Sequence, residues 1–212
     1  KQIDYKPPTP ALYDDLSKKK NIIFFGEAQN VSDLEKKTDD ILAFAELTSR
    51  ANDLVKTFSG GMKKRVSLCC ALIHQPKIVF LDEPTAAIDP HLKIQSWNLF
   101  RRLAKTGVTL FISTHLMDEA LLCDRVTILG NGQIIALDTP QKILERGKTV
   151  FKFYEKGEMK QSVIDSTPES LAKELHKLGL NKNITSISFH PSNIESIVLD
   201  IIKGKEDSET KQ

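Results

Sequence analysis

Residues 58 to 90, FSGGMKKRVSLCCALIHQPKIVFLDEPTAAIDP, constrain this chain more than any other stretch. A serine and two glycines open a helical pattern, a short apolar run follows, and the run ends in two acids. A helix started by Ser59, Gly60 and Gly61 turns unpaired backbone N–H groups outward at the positive end of its dipole. Glycine there lets an anion come close. Ile78-Val79-Phe80-Leu81 reads as a strand that carries Asp82 and Glu83 to its carboxyl end, the place where open α/β sheets bind ligands. One acid there can hold Mg²⁺ against nucleotide phosphates, and the next can orient or deprotonate an attacking water. His115 ends a second apolar run, LFIST, beside those acids, which gives it a functional reading. His74, His91, His176 and His190 receive none.

In this order the motifs resemble those of the ATP-binding-cassette (ABC) ATPases. Ser59-Gly60-Gly61 is similar to the signature motif and Ile78 to Glu83 to the Walker B strand. Thr85-Ala86-Ala87-Ile88-Asp89 is similar to the D-loop, and His115 to the switch histidine. The resemblance implies that Asp82 assists Mg²⁺, that Glu83 is the general base and that His115 contacts the γ-phosphate of ATP. It also implies that Ser59 and Gly60, with Gly61 beside them, grip the γ-phosphate of a nucleotide held by a partner. Asp89 would then connect two sites across a dimer. Phe58, Met62 and Ala86-Ala87 depart from the family's usual residues without removing a reactive group. The segment from Ile3 to Leu16 resembles the Q-loop region, yet Pro8 stands where a glutamine or glutamate is usual, and proline has no such side chain to offer.

No G-x-x-x-x-G-K-[ST] loop occurs in the sequence. Gly147-Lys148-Thr149 imitates only its tail, since position 142 is a lysine and the tripeptide precedes a strand pattern. In the resembled family that loop lies before the Q-loop, so the expectation is a fragment or a truncated gene product. Asp82 and Glu83 would then need a second polypeptide to supply the loop. Such a chain should also carry an unpaired strand edge and uncovered apolar surface.

Composition narrows the class. A chain of 212 residues with 40% hydrophobic content holds one ordinary domain and a small appendix. A net charge of +2 gives no footprint for nucleic acid or a membrane surface. Lys18-Lys19-Lys20 reads as a solvated face. Cys69, Cys70 and Cys123 lack metal-ligand spacing and read as reduced thiols. No apolar run approaches the roughly 20 residues that span a bilayer.

Along the chain, residues 12–25 read as a loop entering a short helix. Ser32-Asp33-Leu34-Glu35 is a capping-box pattern before a helix whose inner face is Leu34, Thr38, Ile41, Leu42 and Ala45. Leu12, Tyr13, Phe24 and Phe25 read chiefly as core, with docking to a membrane subunit as the alternative that the resemblance supplies. Helix 91–105, a buried strand 108–113, helix 117–123, strands 125–129 and 133–137 around Gly130-Asn131-Gly132, and a helix begun by Thr139-Pro140 follow. Strand 149–154, helix 168–178, strand 184–189 and helix 193–202 complete the pattern.

The fold class is therefore α/β: a partial P-loop NTPase of the ABC ATPase kind, three-layered, with a mainly parallel sheet, a helical subdomain and a small C-terminal α+β extension. The expected domains are 1–146, 147–204 and a disordered tail at 205–212. Residues 184–204 resemble the extension of ATPases that serve ABC-2-type exporters. The resemblance implies an ATP-hydrolysing subunit with ATP and Mg²⁺ as cofactors. Its partners would be a membrane permease subunit and a second nucleotide-binding domain, in a homodimer or heterodimer, and no nucleic acid. It would sit in the cytoplasm on the inner face of the cell membrane. The alternatives are a non-catalytic partner that lends its signature motif in trans, and a soluble ABC ATPase outside transport.

Overall fold

The computed structural model describes residues 2–49, 51–179 and 181–209, with side chains as far as Ile202. Its backbone divides into two compact units, residues 1–115 and 116–212.

The first unit is built on a parallel sheet of β1 (Ile3–Lys6), β2 (Ile78–Asp82) and β3 (Thr109–Ser113), in that order. Val79 and Leu81 of β2 are buried. Because side chains alternate along a strand, register places Tyr5, Phe80 and Phe111 abreast, and all three are exposed. Phe80 and Phe111 stack with ring centres 5.0 Å apart. β3 is thus not the buried strand its sequence predicts, since Thr109, Phe111 and Ser113 are all exposed. Among the described residues, its outer edge is unpaired.

Helices α1 (Lys18–Ala28), α2 (Leu34–Phe44), α3 (Gly60–Leu72) and α4 (Pro90–Lys105) complete this unit. Ile22, Leu42, Val55, Val66 and Leu99 are almost wholly buried, each side chain contributing about 2 kcal/mol by leaving water. Two expectations need correction. Lys18 is not solvated: it is buried, and its ammonium donates to the Leu47 carbonyl at 2.8 Å and the Ser49 carbonyl at 2.6 Å. Backbone acceptors make that burial tolerable. Ser32 does not cap α2; Asp33 holds that position in a left-handed conformation, with no side-chain cap bond.

The second unit holds α5 (Met117–Ala120), the hairpin of β4 (Val126–Gly130) and β5 (Gln133–Asp138), and α6 (Pro140–Leu144). Left-handed Asn131 and Gly132 close the hairpin as the sequence predicts. An antiparallel sheet follows in the order β7-β6-β8, from β6 (Lys148–Glu155), β7 (Glu158–Asp165) and β8 (Ile184–Pro191), with α7 (Pro168–Leu178) and α8 (Ile194–Glu209). One apolar cluster joins Ile128, Ala136 and Ile143 to Ile194, Ile197 and Val198. This core runs across position 146, so the compact units meet at a different point from the sequence's domain cut. It also accounts for Gly147, where a Cβ would stand 2.6 Å from Ile197 Cδ1. α8 continues through 205–209, where the sequence predicts a disordered tail; positions 210–212 lie outside the described residues.

Candidate functional site

The carboxyl end of β2 gathers the reactive groups. Asp82 closes the strand, and the chain then turns at Glu83, which is left-handed with φ +44°. A non-glycine residue held there marks a constrained turn. The Glu83 N–H donates to the Ser113 carbonyl at 3.1 Å, which anchors the turn to the end of β3. Two residues beyond Ser113 comes His115, whose Nδ1 lies 2.9 Å from Glu83 Oε1. The other carboxylate oxygen, Glu83 Oε2, is buried with no hydrogen-bond partner. An unpartnered buried oxygen beside a histidine is an acceptor waiting for a donor.

Asp82 is held from both sides. The Ser113 hydroxyl donates to Oδ1 and the Tyr5 hydroxyl donates to Oδ2 at 3.0 Å. These two bonds, the serine's first, with Lys6 nearby, hold the Asp82 carboxyl below its usual range. Tyr5 responds in the opposite sense, its phenol raised by the bond to Asp82. Each carboxylate oxygen keeps a free lone pair after accepting one bond. Among the described residues there is no cluster of three or more metal-type side chains. Pro8, where a further ligand would be usual, is exposed and contributes no donor.

Ser59 is the N-cap of α3, its hydroxyl accepting from the Met62 N–H at 3.3 Å. The two glycines differ. A Cβ at Gly60 would meet nothing within 4 Å, whereas one at Gly61 would stand 2.6 Å from Leu92 Cδ1. Gly60 therefore leaves open space above the helix start, and Gly61 permits α3 to approach α4. Asp89 caps α4, accepting from the Leu92 N–H at 2.9 Å. Motif order pointed to Asp82, Glu83, His115, Ser59 and Asp89, but not to Tyr5, Ser113 or Lys64. The Lys64 ammonium donates to the carbonyls of Glu83, at 3.1 Å, and of Ala86.

Residues 1–86 match the family model described as ABC transporter. The matched segment is part of an ABC transporter ATPase domain. The linearmycin resistance ATP-binding protein LnrL of Bacillus subtilis is 35% identical over 71% of this chain and 50% of its own length. The Nod factor export ATP-binding protein I of Rhizobium leguminosarum bv. viciae is 39% identical over 64% of this chain and 45% of its own. The chain is also similar to solved structures. One is an ATP binding subunit of an ABC transporter, with TM-score 0.58 and 29% identity over 67% of this chain and 60% of that one. Another is cbiO1 from Clostridium perfringens, part of the ABC transporter complex cbiONQ, with TM-score 0.60 and 28% identity over 66% and 57%. The chain spans about half the length of the curated relatives it matches.

Proposed function

We propose that this chain is the ATP-binding and ATP-hydrolysing subunit of an ABC-type exporter. The 2.9 Å approach of His115 to Glu83, beside Asp82 at the carboxyl end of a parallel sheet, carries the reading. In it Glu83 accepts a proton from the attacking water. His115 holds Glu83 through Nδ1, so only the doubly protonated ring can also donate through Nε2 to a phosphate oxygen. Asp82 would hold Mg²⁺, which neutralises phosphate charge when bound. Ser59 and Gly60 receive the γ-phosphate of a nucleotide on a second nucleotide-binding domain, at the N–H groups that open α3. Asp89, capping α4, would link the two sites across that dimer.

The names of the relatives favour export, and membership of cbiO1 in a transporter complex favours a permease partner. Among the described residues no helix is long and apolar enough to cross a membrane. Attachment to the inner face of the cell membrane would then come through that permease.

ATP turnover by the native complex tests the reading. Glu83→Gln should lower turnover by about a hundredfold or more while nucleotide binding persists; unchanged turnover overturns it. The open space at Gly60 favours a second reading, in which the chain only completes a partner's site. In that case Ser59→Ala impairs a mixed complex and Glu83→Gln does nothing.

A further inference from the structure

We infer that Lys64 is a positioning residue that ties the start of α3 to Glu83, so that phosphate contact at Ser59 and Gly60 is felt by the base. The inference rests on the reading of Glu83 as the base. Three observations converge on it.

The first is the pair of hydrogen bonds from Lys64 to the acid turn. Its ammonium donates to the Glu83 carbonyl at 3.1 Å and to the Ala86 carbonyl, in a partly buried setting. Charge-assisted bonds of this kind are stronger than those between neutral groups. The second is that the turn needs a holder. Glu83 and Ala87 are both left-handed without being glycine, at φ +44° and +55°, and the backbone bond from Ala86 N–H to the Glu83 carbonyl is long at 3.4 Å. A backbone of this kind persists only where its surroundings hold it. The third is rigidity on the far side. Lys64 stands in the first turns of α3, five residues after the Ser59 cap, and Gly61 fixes that end of the helix against Leu92 of α4. A shift at Ser59 and Gly60 therefore moves the Lys64 ammonium, and with it the carbonyl of Glu83.

The coupling is reciprocal: a displaced Glu83 turn pulls on α3 as well. Lys64 touches no phosphate in this scheme. It acts through the backbone that aims the Glu83 carboxylate at its water.

Hydrogen exchange on the full chain, with ATP turnover by the native complex, tests this using Lys64→Met, Lys64→Gln and Lys64→Arg. The Met and Gln variants should speed exchange of the amides at 85–88 by about tenfold or more and leave those at 66–72 protected. Turnover number should fall by about tenfold, with KM for ATP within about twofold, and Arg should recover most of both. Unchanged exchange at 85–88 in both Met and Gln variants overturns the clamp. Faster exchange with unchanged turnover overturns the positioning role. If the unmodified complex turns over no ATP, the reading of Glu83 as base fails instead, and the exchange result alone decides the clamp.

Discussion

Lys6 shows what burying a single charge does at this site. It ends β1 with 2% of its surface exposed, its ammonium donating to the Pro7 carbonyl at 3.1 Å. Burial, then the charge of Lys64, pushes its pKa down to about 8, while Asp82 pulls the other way. Below about pH 8 both folded and unfolded chains hold the proton, so the full cost of the buried charge stands. Between there and the ordinary value of 10.5 the unfolded chain binds more protons, and stability rises with pH. Lys6→Met should therefore stabilise the protein near neutral pH by on the order of 2 kcal/mol. The gain should fade towards about pH 10. Urea midpoints at the two pH values check it. Asp82, Glu83 and His115 were legible in the sequence because their order along the chain is itself the signal. Tyr5 and Ser113 were not, because they reach Asp82 only through strand register, from 77 and 31 residues away.

At the scale of elements, local chemistry accounts for most of the helices and strands. Ser59, Asp89, Thr139 and Thr167 each accept from a backbone N–H in the first turn of the helix they start. Ser59→Ala should cost about 1 kcal/mol in urea unfolding, separately from any effect on phosphate binding. What escaped the sequence has a physical reason too. β7 reads EMKQSVID, largely exposed and too polar to look like a strand, and it forms because the left-handed pair Lys156 and Gly157 turns it back onto β6. β1 is four residues, two of them charged, and pairing with β2 makes it a strand. The exposed row of Tyr5, Phe80 and Phe111 has a consequence at this scale as well. The isolated chain should self-associate with rising concentration, and Phe111→Lys should suppress that in sedimentation velocity.

Across the whole molecule, two units each carry a core. Ile197 packs in the second, against Ile128, Ala136 and Ile143. Ile197→Ala should destabilise that unit by about 2–4 kcal/mol, read as faster amide exchange along β5 and α6. Trp97, the chain's single tryptophan, is buried on α4 with Phe100 edge-on at 5.5 Å, so its fluorescence reports the first unit.

The three thiols divide along the same line. Cys69 and Cys70 lie buried on α3, and burial pushes the Cys69 thiol up to about 12 and the Cys70 thiol well above its usual value. Little of either thiol is then the thiolate, the form that attacks an electrophile. Cys123 is half-buried in the second unit. A maleimide dye should therefore mark Cys123 first, and labelling of Cys69 and Cys70 should wait until the first unit opens. The native chain thus carries its own timer, two slow thiols whose capture rate counts how often α3 leaves its core.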